Sequence, residues 1–249
     1  MNILVTNDDG YTSPGLANLA VSMRGFGDVD VIAPKDDRSG SSCSITLDRP
    51  LRVGEAESGF AFVNGTPVDC VNLGVTALLK DKPSLIVSGI NNGRNIGEDV
   101  HYSGTVGAAT EGFLHGITSF AFSLDSFSFD NLQTANFFAK KIVEAYLNDP
   151  FPEPILLNVN IPNVKLAEVK GIVSCRPGGR AASKPAVKAV SPKGEEVYWV
   201  GASGDFYDVG EGTDFKALSE NMVSVTSLST GMYEEKTAEK IESWVQKIK

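Results

Sequence analysis

The stretch Ile3-Leu4-Val5-Thr6-Asn7-Asp8-Asp9-Gly10 gives the clearest structural signal near the start of the chain. Its apolar run stops abruptly at a polar turn, which is typical of a buried parallel strand. Ser13-Pro14 then supplies an N-cap and a proline for the first helical position, and apolar residues follow at helical spacing as far as Met23. A second apolar run at Val29–Ala33 completes a predicted βαβ unit.

The same alternation recurs along the chain. Further helices are predicted at 68–79, 104–114 and 131–147, and further strands at 84–88, 120–124 and 154–162. Alternating helices and apolar strands favour an α/β fold with a mostly parallel, doubly wound sheet. We expect one domain over residues 1–249.

Two segments depart from this alternation, and a C-terminal helix follows them. Residues 44–64 resemble an antiparallel ribbon, and residues 171–212 resemble a β-hairpin extension with its turn at Pro192-Lys193-Gly194. We expect the extension to lie at the rim of an active site or at an oligomer contact. Residues 234–249 predict a C-terminal helix with one apolar face, which should dock on another surface.

Composition excludes several classes of protein. The net charge of −9 disfavours nucleic acid as a partner. The three cysteines, Cys43, Cys70 and Cys175, form no CxxC pair, so they predict neither a zinc site nor a disulfide framework. We expect no membrane segment, because no stretch approaches the ~20 apolar residues that a membrane helix needs. The first residues do not resemble a signal peptide, so we expect a cytoplasmic protein.

Oxygen-rich loops follow the first three predicted strands: Asn7–Gly10, then 35–42, then a third loop with Asn91, Asn95 and Asp99. Ligands of open α/β sheets bind beyond the carboxyl ends of the strands. Asp8-Asp9-Gly10 alone is equally compatible with an ordinary turn. Two adjacent carboxylates at a buried strand end repel each other, however, and a hard cation would compensate them.

Ser103-Gly104-Thr105 precedes a helix of small residues. Free backbone N–H groups at a helix start bind anions, although an ordinary N-cap on a tightly packed helix explains the same residues. With only His101 and His115 present, phosphatases that need several histidine ligands are excluded. No GxGxxG motif follows the first strand and no P-loop is present, which argues against dinucleotides and nucleoside triphosphates.

Seven motifs together resemble the SurE family, the survival protein E 5′/3′-nucleotidases. They are Asn7–Gly10 with Ser13–Gly15, Arg38–Gly40, Gly65–Cys70, Ser88–Asn91, Tyr102–Val106, Asn158–Pro162 and Gly212–Asp214. The resemblance covers nearly the whole chain in order and spacing. The stretch Ser227–Gly231 departs from the family's pattern, and this departure concerns assembly more than chemistry.

The resemblance implies a Rossmann-like core and hydrolysis of nucleoside 5′- and 3′-monophosphates, with short polyphosphate as a side substrate. It implies one divalent ion, Mg²⁺ or Mn²⁺, and assembly as a homodimer or homotetramer. By position, the metal ligands fall on Asp8, Asp9, Ser39 and Asn91. Asn95 and the turn Ser103, Gly104 and Thr105 match positions that face the phosphate, which makes Asp8, Asp9 and Asn95 the candidate catalytic residues.

The role of each carboxylate stays open at this point. Asp8 or Asp9 could accept a proton from the attacking water, or Asp8 could attack the phosphorus directly. Two other functions are also compatible with the scaffold. One is a regulatory module that binds metal and nucleotide without turnover, and the other is a sugar-nucleotide hydrolase or transferase.

Overall fold

The first apolar run forms an interior strand of a nine-stranded sheet in the computed structural model, which describes residues 1–248. The strands of this range are β1 (Asn2–Thr6), β2 (Asp28–Pro34), β3 (Val53–Glu55), β4 (Ala61–Val63), β5 (Leu85–Asn92), β6 (Ser119–Asp125), β7 (Leu156–Pro162), β8 (Gly171–Cys175), β9 (Gly179–Arg180), β10 (Val187–Val190), β11 (Glu196–Trp199), β12 (Phe206–Asp208) and β13 (Met222–Ser227).

The helices of the same range are α1 (Pro14–Met23), α2 (Pro67–Leu73), α3 (Gly104–Leu114), α4 (Leu132–Asn148), α5 (Asp214–Ser219) and α6 (Glu235–Val245). A π-helical turn at Gly74–Leu78 continues α2, and 3₁₀ turns lie at Gly97–His101 and Leu166–Glu168. None of the helices within residues 1–248 combines the length and the apolar composition needed to cross a membrane.

The main sheet has the order β3-β4-β2-β1-β5-β6-β7-β13-β8. From β4 to β7 all neighbouring strands are parallel, whereas β3 is antiparallel to β4 and β13 is antiparallel to β7. The predicted α/β fold with a mostly parallel sheet is therefore confirmed.

Alternate side chains of β1 enter two different cores, because successive residues of a strand point to opposite faces. Ile3 and Val5 belong to the core that includes side chains of α1 and α4, such as Leu19 and Phe138. Leu4 belongs to the core on the other face, beneath α2 and α3. Helices on both faces confirm that the sheet is doubly wound.

Two predicted boundaries need correction. β5 runs to Asn92, beyond the predicted end at residue 88, because the chain keeps pairing with β6 after an irregularity between Ser88 and Asn91. The predicted ribbon at 44–64 is regular only at β3 and β4, and residues 44–52 form no strand.

The extension also starts later than predicted. Residues 171–175 form β8, which pairs in parallel with β13 at the edge of the main sheet. Beyond Cys175, β9 pairs with β12, and β10 pairs with β11 as an antiparallel hairpin. The predicted turn lies between these two hairpin strands, where Ser191 N–H donates to Glu195 O at 2.8 Å.

The apolar face of α6 is not covered by residues 1–248. Ile241, Trp244 and Val245 keep 54%, 62% and 50% of their surface exposed. Docking of this helix on another surface stays a prediction, since an amphipathic pattern indicates that a face needs cover but not which chain provides it. Lys249, the last residue of the predicted helix, lies outside the described residues.

Candidate active site

The candidate site lies where the strand order reverses. From β1 the chain adds β2 on one side of the sheet and later returns to add β5 on the other side, so β1 lies between them. The loops after β1 and β5 therefore diverge to opposite faces of the sheet and leave a crevice at its carboxyl edge. Asp8 and Asp9 follow β1 at this position, and Asn91 and Asn92 end β5.

Asp8 is buried beneath the start of α3. The Thr105 hydroxyl donates a hydrogen bond to Asp8 Oδ1. A Cβ atom added to Gly104 would lie 2.8 Å from Asp8 Cβ and 2.6 Å from Ser41 Oγ. A side chain at position 104 would collide with both, so glycine is required for the close approach of the helix to the carboxylate.

The loop after β2 closes the site from a second direction. Arg38 N–H donates to the backbone oxygen of Asp8 at 2.8 Å, which fixes Ser39 next to β1. Ser39 itself is exposed, and its N–H donates to Asp37 Oδ1 at 2.7 Å. Ser42 N–H donates to Tyr102 O at 3.1 Å, so this loop and the start of α3 form one wall.

Asp9 and the end of β5 meet on the other side of the crevice. Asn92 N–H donates to Asp9 Oδ2 at 3.3 Å. The side chain of Asn91 is buried, and its Nδ2 donates to Gly93 O at 2.7 Å. This bond occupies the amide nitrogen and leaves Asn91 Oδ1 as the atom available to a ligand.

Burial makes both carboxyl groups hard to ionise. Removal from water raises the pKa of Asp8, and hydrogen bonds from Thr105 oppose the rise. Burial, followed by the negative charge of Asp8, raises the pKa of Asp9 to about 7. The negative charge of Asp37 disfavours ionisation of both. When both groups are ionised, the described residues do not fully compensate their negative charge.

Asn95 is held mainly by the neighbouring strands. Its Nδ2 donates to Ser123 Oγ at 2.8 Å, and its N–H donates to Asn160 Oδ1 at 2.7 Å. Its backbone oxygen accepts hydrogen bonds from the amides of Asn158 and Asn160. The structure thus packs Asn95 against the carboxyl ends of β6 and β7.

Ser103 caps α3. Its Oγ accepts a hydrogen bond from Val106 N–H at 3.1 Å, so the N-cap interpretation of this residue is confirmed. The cap lies directly before Gly104, so the start of α3 packs against the Asp8 carboxyl, which accepts hydrogen bonds from Thr105.

Sequence reasoning missed Ser41 and Asp214. Ser41 Oγ is buried without a hydrogen-bond partner among residues 1–248, and it lies beside Gly104. Asp214 accepts N–H bonds from Gly97 and Gly178, at 2.9 and 2.8 Å, and so joins the 3₁₀ turn to the extension. For Asp214 the Gly212-Thr213-Asp214 motif was a usable signal, whereas one serine in a polar loop offers none.

Few side chains of the types that bind metal ions most often, which are His, Cys, Asp and Glu, lie around the crevice. Within residues 1–248, no three His, Cys, Asp or Glu side chains cluster closely enough to hold a metal ion. A cation at Asp8 and Asp9 would need neutral oxygen atoms to complete its shell, as Mg²⁺ commonly does in phosphate-handling sites.

Comparisons with known proteins agree on one family. A family model described as "Survival protein SurE" matches residues 3–184. A protein of Methylobacillus flagellatus named 5′-nucleotidase SurE is 47% identical over 245 residues, which cover 98% of this chain and 99% of that protein. A protein of Nitrosomonas eutropha with the same name is 51% identical over 228 residues, 92% of each chain. The crystal structure of the SurE protein from Aquifex aeolicus matches with a TM-score of 0.86 at 40% identity, covering 98% of this chain and 100% of that chain.

Proposed function

The chain belongs to the SurE family, and we propose that it is a phosphomonoesterase that hydrolyses nucleoside 5′- and 3′-monophosphates to nucleoside and phosphate. Relatives that match nearly its full length carry the name 5′-nucleotidase. The structural observation that supports the proposal most directly is the packing of the α3 start against Asp8. A helix N-terminus that would bind a phosphate there lies beside a carboxylate that would bind a cation.

Asp8, Asp9, Ser39 and Asn91 would hold one divalent ion of the Mg²⁺ or Mn²⁺ class. The donor set fits, because two carboxylates, an amide oxygen and a hydroxyl are hard oxygen ligands. The raised pKa values of Asp8 and Asp9 support the same assignment, since a cation would favour their ionised forms. When bound, such an ion polarises a phosphoryl oxygen and lowers the pKa of a coordinated water.

The remaining residues would bind and orient the phosphate. The N–H groups at Gly104 and Thr105 would hold phosphoryl oxygens with Ser103 and Asn95, and their dipoles stabilise the negative charge that grows in the transition state. The Thr105 hydroxyl fixes Asp8 Oδ1. Asp8, Asp9 and Asn95 are thus the proposed catalytic residues.

Assembly and location are part of the proposal. The exposed apolar face of α6 supports a homodimer or homotetramer in which a partner covers this face. The three cysteines are free thiols, as is usual for proteins kept in the reducing cytoplasm. We therefore expect a cytoplasmic, oligomeric enzyme.

Phosphate release from AMP and GMP tests the proposal directly. We expect turnover with Mg²⁺ or Mn²⁺, and loss of turnover in EDTA that added cation restores. Asp8→Asn should lower kcat/KM by about a hundredfold or more, whereas Asp36→Asn, a matched change in an exposed residue of the loop after β2, should stay within about twofold. Hydrolysis of UDP-sugars without any release from monophosphates would contradict the proposal.

A further inference from the structure

A cavity of about 600 Å³ opens beside the start of α3. It lies between the 3₁₀ turn at Gly97–His101 and the base of the extension, and its wall includes Asp99, Tyr102, Arg180 and Ser183. This volume is in the range of small-molecule sites. Tyr102 directly precedes the cap residue Ser103, so the cavity is adjacent to the proposed phosphate site.

Tyr102 presents an aromatic ring to solvent at this position. Its side chain is 62% exposed. Its hydrogen bonds with Ser42 and Asp99 are made by backbone atoms, so the ring does not hold the turn together. Exposed aromatic faces bind nucleobases by stacking, and this interaction tolerates any base because every base has a π-face.

The contact between the 3₁₀ turn and the extension combines charge with rigidity. Arg180 is largely buried, and its Nε and Nη2 both contact Asp99 Oδ1, at 2.9 and 2.6 Å. Arg180 N–H also donates to Glu98 Oε2 at 2.8 Å. Because both guanidinium contacts go to Oδ1, Asp99 Oδ2 is available to accept a hydrogen bond from a hydroxyl group of a ligand.

We propose that this cavity binds the nucleoside part of the substrate, with the base stacked on Tyr102 and the sugar hydroxyls near Asp99. The inference rests on the proposed function, since it places the leaving group of the phosphomonoester next to the proposed phosphate site. It assigns Tyr102 as a specificity-determining residue that distinguishes nucleotides from phosphomonoesters without a base.

A second cavity of about 870 Å³ borders the other side of the same turn. His101 lines it, together with apolar residues of α3 and of the segment 228–232. This cavity has no aromatic ring of Phe, Tyr or Trp among its lining residues. A stacked base is therefore better accommodated on the Tyr102 side, and His101 provides a matched control at the adjacent position.

The test compares AMP with ribose 5-phosphate, which lacks the base, in the full-length protein with Mn²⁺. For Tyr102→Ala we expect the ratio of kcat/KM for AMP to that for ribose 5-phosphate to fall about ten- to a hundredfold, mainly through KM. Inhibition by adenosine should weaken by a similar factor, while inhibition by inorganic phosphate should not. Tyr102→Phe should keep the wild-type ratio, because the ring remains.

Two results would overturn the inference. One is an unchanged ratio and an unchanged adenosine inhibition constant in Tyr102→Ala that is folded by its thermal midpoint. The other is a fall of the ratio in His101→Ala, or in a Phe127→Ala variant that lacks the exposed ring near Gly93, but not in Tyr102→Ala.

Failure of the proposed function looks different, because the wild-type protein would then hydrolyse neither phosphomonoester. Adenosine binding, followed as a shift of the thermal midpoint without any turnover, would still test the cavity in that case. A shift in the wild type that Tyr102→Ala removes supports the inference, and equal shifts in both proteins overturn it.

Discussion

Two neighbouring carboxyl groups end β1, and the fold shields both of them from water. Asp8 is only 3% exposed, and the pKa of Asp9 is raised to about 7 by burial and by the charge of Asp8. In the unfolded chain the Asp9 carboxyl titrates near its ordinary value of 3.8. The native state therefore holds an extra proton between these two values, and its stability falls as the pH rises from about 4 to about 7.

Asp9→Asn should therefore stabilise the protein when no cation is present. In EDTA at pH 8 we expect the free energy of unfolding to rise by up to about 4 kcal/mol, since one pKa unit corresponds to about 1.4 kcal/mol. At pH 4 the difference should largely vanish. Denaturant unfolding at both pH values measures it, with Asp36→Asn as the control that should change little.

Adding Mn²⁺ should reverse the order, because the cation stabilises the wild type but finds a weakened site in Asp9→Asn. An Asp9→Asn protein that is no more stable than the wild type at pH 8 in EDTA would show that ionised Asp9 does not destabilise the folded state.

At the level of elements, the sequence predicted the helix and strand bounds that are determined by local sequence pattern. The bounds of α3 match the structure, because the Ser103 cap and the last apolar residue are local signals. The end of β5 was missed because Gly89 and Asn91 are turn residues in isolation, and only the pairing of Asn91 and Asn92 with β6 continues the strand.

Within the candidate site, too, local signals predicted some contacts and missed those that depend on tertiary packing. Asp8 and Gly104 are brought together as the loops suggested, since strand ends of a parallel sheet share one edge. The hydrogen bonds of Asn95 to Ser123 and Asn160 could not be predicted, because the partners are 28 and 65 residues away and depend on tertiary packing. The same holds for Asp214, which contacts Gly97 across 117 residues.

Asp214→Ala should loosen the base of the extension. The substitution leaves the N–H groups of Gly97, Gly178 and Phe215 without their acceptor, so we expect a loss of about 2–4 kcal/mol in the free energy of unfolding. Limited proteolysis within residues 181–204 should accelerate as well. Glu211→Ala, a nearby change in an exposed side chain, should shift stability by less than about 0.5 kcal/mol. Equal proteolysis rates in the two variants would refute the role of Asp214.

On the scale of the whole molecule, the net charge disfavours binding of an anionic substrate, whereas the exposed apolar surface favours association with another chain. A net charge of −9 repels a phosphate substrate at long range, so local features such as the start of α3 must provide the attraction. The apolar face of α6, by contrast, is exposed in the single chain, and an exposed amphipathic face favours association. The sequence showed that this face exists, but the covering surface depends on a chain that the single fold does not contain.

The proposed assembly predicts a change of mass when α6 loses its apolar face. Ile241→Glu combined with Trp244→Glu should convert a dimer or tetramer into a species near the 26.5 kDa of one chain, because burying two carboxylates in an interface is strongly unfavourable. Light scattering coupled to size-exclusion chromatography measures this mass. Lys240→Glu, which adds negative charge to the same helix at an exposed polar position, should leave the mass unchanged. An oligomer that survives the double substitution would assign the interface to another surface, such as the β10–β11 hairpin with its exposed Trp199.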